Sequence, residues 1–317
     1  LPGIEFNSQN KIIWQEPNDH FLHHELIQLP NGNYMGIVED IQYGPIPNNG
    51  NWTSLFQGIG FVADGQTIEF KWVGDRIVEW DEETGTEVWS WSTFDYYNMD
   101  DYDIYGGTWM EAYQANRYDW THANAFAFDE NENAIYLSSR HLSRITKIDY
   151  MTKEIIWNMG IEHGSGDVNF GEDLQFSFQH SLQILPNGNL VILDNGNLSQ
   201  SLFETEYPTS RGLEIHINGN ENAEIIWEYV LPENLFGFAS GNVQKLDNGN
   251  YLITTVGDGG TSLEVSSTNE IVWEGKYNLT LPAGAVYRAQ RIQGLFAGIY
   301  SFILPKEIDF ENNILSQ

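Results

Sequence analysis

The sequence predicts an all-β fold, a single β-propeller of about five four-stranded blades filling residues 1–317. Three observations carry that expectation. An alternating apolar run, a tight turn and a second β-rich run recur along the chain. A short β-branched run ending in Trp follows each of these hairpins. The first strands of the chain also match its last outer strands without a gap.

The hairpin unit reads His24-Glu25-Leu26-Ile27-Gln28-Leu29-Pro30-Asn31-Gly32-Asn33-Tyr34. It returns as His180-Ser181-Leu182-Gln183-Ile184-Leu185-Pro186-Asn187-Gly188-Asn189-Leu190, and as Gly241-Asn242-Val243-Gln244-Lys245-Leu246-Asp247-Asn248-Gly249-Asn250-Tyr251. A looser copy runs from His122 through Phe128 to Asp129-Glu130-Asn131. Asn-Gly between alternating runs is a hairpin signal, expected here as a type I′ turn. The Trp-ended element appears as Lys11-Ile12-Ile13-Trp14, Glu87-Val88-Trp89, Glu154-Ile155-Ile156-Trp157, Glu224-Ile225-Ile226-Trp227 and Glu270-Ile271-Val272-Trp273. One Trp per unit, placed at the end of an outer strand, is expected to pack between blades.

Residues 3–14 align on residues 262–273, so the chain opens with two outer strands that lack an inner pair. The segment from Val286 to Ile303 carries an apparent inner pair with no Trp-ended partner. Joining them completes one blade and removes exposed sheet edges. Blades are therefore expected to begin near His24, His122, His180, Gly241 and Tyr287. Two long inserts interrupt the pattern, at about 40–68 and 92–120; a sixth, degenerate blade within them is the alternative. Long loops on a rigid scaffold carry function or cover a site.

Composition narrows the partners. With 14 Lys+Arg against 45 Asp+Glu, the net charge is −31, which repels nucleic acid and anionic lipid. No apolar run is long enough to insert in a membrane. There are 0 cysteines, which removes disulfides, thiolate metal sites and a cysteine nucleophile. No signal peptide is visible at Leu1, a leader having been removed or left out; a secreted or periplasmic location is expected.

In a propeller, the start of each innermost strand and the loop between the second and third strands share one face. His24, His122 and His180 stand at inner-strand starts and are expected to meet at the channel mouth. Arg140 and His141 follow the second strand of their blade, and Asn195 does so in the next. Arg211 opens a third strand, and Tyr287-Arg288 begins the last blade. Imidazoles and Arg forks suit a tetrahedral oxyanion such as sulfate or phosphate.

At these residues the chain resembles the arylsulfate sulfotransferase family. The motifs are Trp120-Thr121-His122-Ala123-Asn124, Ser138-Ser139-Arg140-His141-Leu142-Ser143, Gln179-His180 with Asp194-Asn195-Gly196, Ser210-Arg211-Gly212 and Val286-Tyr287-Arg288-Ala289, and the likeness covers roughly 20–295. It implies a propeller enzyme that moves a sulfuryl group from one phenol to another without a nucleotide donor. It also implies that His122, His180 and Arg211 take the oxygen-binding and acid–base positions, through charge neutralisation and protonation of the departing phenolate. Asn124, Arg140, His141, Asn195, Tyr287 and Arg288 are the expected substrate contacts. The family's transiently sulfated histidine lies later in the chain, beyond the motif matched by Arg211. Here the only later histidine is His216, inside an alternating strand, and the blade-four repeat position holds Gly241. Attack by His24, His122 or His180, transfer without a covalent intermediate, and no transfer at all stay open.

Two other readings use the same residues. One is a non-catalytic propeller that binds sulfated or other anionic ligands. The other is a His-dependent hydrolase or lyase on an acidic polysaccharide. No cofactor and no metal site are expected. Asp100, Asp101 and Asp103 lack the spacing of a calcium loop, so calcium is only a weak alternative. His20, His23 and His163 read as exposed loop residues. The aromatic run Tyr96 to Tyr118 reads equally as a platform for a phenol or as a self-packed loop.

Overall fold

The computed structural model describes residues 3–18, 20, 22–279 and 285–292. The chain folds as a β-propeller. A ribbon of β1 (Ile4–Phe6) and β2 (Ile12–Gln15) comes first. Blade one is β3 (Leu22–Gln28), β4 (Tyr34–Gly44), β5 (Phe70–Trp80) and β6 (Glu87–Ser92), with β7 (Tyr118–Asp119) added in parallel to β5. Blade two is β8 (Ala123–Asp129), β9 (Ala134–Ser139), β10 (Arg144–Asp149) and β11 (Ile155–Gly160). Blade three is β12 (His180–Ile184), β13 (Leu190–Asp194), β14 (Arg211–Asn218) and β15 (Asn222–Val230). Blade four is β16 (Asn242–Lys245), β17 (Tyr251–Thr255), β18 (Thr261–Val265) and β19 (Ile271–Lys276). Each blade is an antiparallel meander with its first strand innermost.

The Asn-Gly turns close hairpins, but not in the type I′ form. Leu29 pairs with Asn33, Leu185 with Asn189 and Leu246 with Asn250, leaving three-residue loops in which only the glycine has positive φ. In the first two loops proline fixes φ near −65° and so sets up a type I turn followed by a left-handed glycine.

The Trp residues pack between blades as expected. Trp14 stacks on Tyr34 at 4.0 Å, Trp89 on Tyr150 at 5.4 Å, and Trp227 on Tyr251 at 3.4 Å. Trp157 donates its indole N–H to Asn220 of blade three at 3.1 Å. Trp273 alone is half-exposed, at 47%. A second inter-blade device was not foreseen. A glutamate on the third strand of blades one, three and four accepts from the Asn side chains of its own blade's turn and from a residue beyond that blade. Glu79 takes Asn31, Asn33 and the Tyr150 hydroxyl. Glu214 takes Asn189 and the Tyr251 hydroxyl, and Glu264 takes Asn248, Asn250 and Arg291.

That device also shows how the ring closes. Glu5 on β1 accepts from the Tyr34 hydroxyl of blade one, so β1 occupies a third-strand position. Residues 287–291 run along β16, with Gly241 N–H donating to the Tyr287 carbonyl at 2.8 Å and Asn242 and Gln244 bonded to Ala289 and Arg291. The β1–β2 ribbon and this segment are the two ends of the fifth blade. Residues 293–303 of the expected inner pair lie outside the described residues.

The inserts form no sixth blade. They hold α1 (Thr53–Gly58), α2 (Thr93–Tyr96) and α3 (Thr108–Ala115), packed on the long β4–β5 hairpin. Of the two readings of the aromatic run, the self-packed one matches: Trp109 and Tyr118 are fully buried and stacked at 3.9 Å, and Trp72 meets both. This cluster holds β7 against β5 and so delivers residues 119–122 to the channel mouth.

Candidate active site

Four elements converge at the mouth. On blade one, β3 carries His23 and His24. On blade two, the chain turns from β7 into β8 through Asp119 and His122. There the Asp75 carboxylate fixes the backbone by accepting from the Thr121 hydroxyl and, at 2.6 Å, from the Ala123 N–H. The β9–β10 loop supplies Arg140 and His141, tied back by N–H bonds from these residues to the His122 and Thr121 carbonyls. Blade three adds His180. The inner strands are bulged at His23/Leu26, Ala123/Ala125 and His180/Gln183, and His24 and His122 have φ of 61° and 46°. Bulges re-aim side chains, and left-handed non-glycine residues cluster where function over-determines the backbone.

The imidazoles form a row. His24 lies 5.0 Å from His122, and His122 lies 4.7 Å from His141, centroid to centroid. His122 donates from Nδ1 to Asp119 Oδ2 at 2.6 Å, and His141 donates from Nδ1 to the Asp119 carbonyl at 2.7 Å. Arg140 sets Nη1 2.6 Å from His141 Nε2, lies over the Phe178 ring at 4.7 Å, and donates to the Phe238 carbonyl. His180 donates from Nδ1 to Asn195 at 2.7 Å and accepts the Ser240 N–H at 3.2 Å. Tyr287 stands 6.0 Å from His24. Arg288 pairs with Glu25 and donates to the Asn124 carbonyl at 2.8 Å. Asn124 itself is buried and donates to the Gln179 carbonyl.

Arg211 sits apart from the row. Its guanidinium is engaged by Asp194 at 2.7 Å, Glu228 at 2.8 Å and the Leu174 carbonyl at 3.1 Å. Asp194 is opposite it in the β13–β14 register, so strand pairing alone pointed to this contact. His23 differs from the expected loop residue: it lies on β3, its side chain is 13% exposed, and it meets Asp75 at 3.1 Å and His24 at 2.6 Å. Asp119, Asp75 and His23 are the site residues that sequence reasoning missed. His163 bonds the Leu142 carbonyl, and His216 bonds Asn189 away from the mouth. Asp101 is buried against Arg144 and Ser165, while Asp103 accepts from the turn at 105–108.

Burial, with the neighbouring imidazoles and Arg288, holds His24 at about 3, and burial with His122 and Arg140 holds His141 at about 3. His180 is likewise pushed well down, first by burial and then by Arg140. Burial also lowers Arg140, to about 10, which leaves it cationic at neutral pH. Burial opposes charge on His23 as well, but Asp75 outweighs it and raises this imidazole. Burial likewise opposes charge on Asp119, yet His122, His141 and Arg140 draw its carboxyl well below the usual range.

The depressed histidines have a sign for stability. Unfolded, they titrate near 6.5; folded, His24 and His141 titrate near 3. Between those values the unfolded chain binds more protons, so stability falls as pH falls, by up to ~1.4 kcal/mol per pH unit for each group. Self-repulsion from the acidic surface runs the other way and is screened in ~1 M salt. In that salt we expect Tm to drop steadily from pH 6.5 to 4. A flat Tm over this range would contradict neutral burial of these imidazoles.

Among the described residues, ligand atoms of Asp119, His122 and His141 lie within 4.8 Å of one another. A cation there would face the Arg140 guanidinium 2.6 Å from His141 Nε2, so charge favours an anion instead.

Comparison with known proteins bears on what such a pocket serves. No curated protein matches the chain. Among solved structures, it is 13% identical to the Dos1 propeller, covering 88% of this chain and 53% of that one, with a TM-score of 0.40. It is 14% identical to a protein of unknown function from Bacteroides caccae, covering 69% and 58%, with a TM-score of 0.39. The chain thus spans little more than half the length of either, and neither likeness bears on activity. The family model described as arylsulfotransferase (ASST) matches residues 61–288, which take in His122, Arg140, His141, His180, Arg211 and Arg288. The chain belongs to the arylsulfotransferase family.

Proposed function

We propose that this propeller transfers a sulfuryl group between phenolic compounds at the channel mouth. One observation carries it: His24, His122, His141 and Arg140, drawn from two blades and far apart in sequence, stand in contact around a cationic fork. A sulfate ester places three oxygens around sulfur. Arg140 neutralises the charge on those oxygens, while neutral imidazoles next to it serve as donor or lone-pair bearer without adding like charge. Tyr287 and Phe178 give an aromatic border suited to a phenol. Arg211 keeps a supporting role, holding Asp194 and Glu228 together on blade three. Such transfer needs no nucleotide and no metal. The partners are small phenols and their sulfates, and the setting is secreted or periplasmic. Among the described residues no helix is long and apolar enough to cross a membrane.

A binding propeller without turnover is the second reading, favoured by Gly241 at the place of the late histidine. One assay separates the two. Intact protein given p-nitrophenyl sulfate is expected to release nitrophenol at a rate that rises with added phenol. Folded protein that binds the ester but releases nothing would leave only the binding role.

A further inference from the structure

Hydrogen-bond geometry distinguishes the five mouth histidines, and it singles out one of them. His180 has both ring nitrogens engaged, by Asn195 and by the Ser240 N–H. His141 likewise has both engaged, by the Asp119 carbonyl and by Arg140. Neither has a lone pair to offer. His24 meets His23 nitrogen to nitrogen, Nδ1 to Nδ1, at 2.6 Å, and His23 rests on Asp75 through Nε2 at 3.1 Å. Two ring nitrogens this close share one proton; the Asp75 carboxylate beside His23 favours that proton on His23 Nδ1, which makes His24 Nδ1 the acceptor and puts the His24 proton on Nε2. His24 then presents an N–H to the channel. His122 is the opposite case. A carboxylate only accepts, so Asp119 Oδ2 at 2.6 Å keeps the His122 proton on Nδ1 and leaves the lone pair on Nε2. Among the described residues that Nε2 has no hydrogen-bond partner, and the His122 side chain is 28% exposed.

We propose that His122 Nε2 is the nucleophile that takes up the sulfuryl group, with Asp119 as its positioning residue and His24 as the proton donor to the departing phenol. The inference rests on the transfer reading above. In the first half, the Nε2 lone pair forms an N–S bond as the S–O bond to the aryl group breaks. The leaving oxygen keeps that bond's electron pair and receives the His24 Nε2 proton, as His23 passes its Nδ1 proton to His24 Nδ1 and His24 stays a neutral imidazole. In the second half, an acceptor phenol gives its proton to His24 Nε2, the Nδ1 proton returns to His23, and the phenol oxygen bonds to sulfur. The N–S electron pair then returns to His122 Nε2, with Nδ1–H held by Asp119 throughout. A carboxylate–imidazole pair that fixes one tautomer is the arrangement that activates nucleophiles and bases in acyl transfer.

The test is to mix the protein with p-nitrophenyl sulfate without acceptor, quench in base, and map peptides by mass. One SO₃ group is expected on the peptide holding His122. His122→Ala is expected to melt near the intact protein while losing both adduct and transfer. Asp119→Asn is expected to lose on the order of 10³–10⁴-fold in adduct formation, with ¹⁵N shifts showing the His122 proton moved to Nε2. His24→Ala is expected to lose more against phenyl sulfate than against the better-leaving nitrophenyl ester. An adduct on His24, His180 or Tyr287, or turnover that survives in His122→Ala, would overturn the assignment alone. An intact protein that transfers nothing would instead remove the transfer reading and the assignment with it.

Discussion

Replacing Arg140 by Ala is expected to lower phenol-dependent nitrophenol release by about 10²–10³-fold, the cost of removing one preorganised charge-stabilising group from an oxyanion site. Among the described residues of the mouth, Arg140 meets His141 and the Phe238 carbonyl but no carboxylate, whereas Arg288 is committed to Glu25 and the Asn124 carbonyl. Arg140→Lys keeps the charge but not the fork, and one ammonium cannot reach His141 and an ester oxygen in the same plane. It is expected to fall between the intact protein and Arg140→Ala. The loss belongs in kcat more than in KM, because the charge on the oxygens grows toward the transition state. Steady-state kinetics with both esters check this. A variant within threefold of the intact protein would mean that Arg140 serves only to hold the loop to Phe238.

The second large effect is on stability. Gly241 occupies the repeat position where a late histidine would restore the family pattern, and its surroundings leave no room for one. Its φ is +89°, and a Cβ would stand 2.5 Å from both the Thr254 carbonyl oxygen and Leu193 Cδ2. Its N–H is also the bond that anchors Tyr287. Gly241→His is therefore expected to cost about 2–4 kcal/mol, from left-handed strain and overpacking together. Tm should fall by roughly 1–2 °C per kcal/mol for a chain of this size, with no gain in transfer. Gly241→Ala should show most of the same loss. Unchanged melting in both, followed by calorimetry or circular dichroism, would show that blade four has room for the missing side chain.

What sequence shows of this molecule follows from what repeats. Trp89 and Trp227 recur at fixed places because each must fill the gap to the next blade, so their packing was legible. His24, His122 and His180 were legible for the same reason, as were Arg140 and His141 on the loop that shares their face. The groups that set their protonation were not. Asp119 reaches the mouth only because β7 pairs in parallel with β5, a contact carried by the buried Trp72, Trp109 and Tyr118 and not by any repeat. His23 looked like a loop residue because the β3 bulge turns it and its neighbour out of simple alternation. Arg211 matched a family motif, yet Asp194 opposite it in the sheet claims its guanidinium. The Glu79, Glu214 and Glu264 bridges went unseen, since acidic residues on third strands resemble solvated surface until the next blade's side chains are in place.

On the proposed function, the channel mouth holds a sulfuryl group between Arg140 and the His24–His122 pair. A crystal structure with a sulfonate analogue of a phenyl sulfate, which cannot be cleaved, tests it directly. Its sulfonate oxygens are expected within hydrogen-bond reach of Arg140 and His24, with sulfur facing His122 Nε2 and the ring toward Tyr287. A sulfonate bound beside Arg211, or none in the channel, would contradict it.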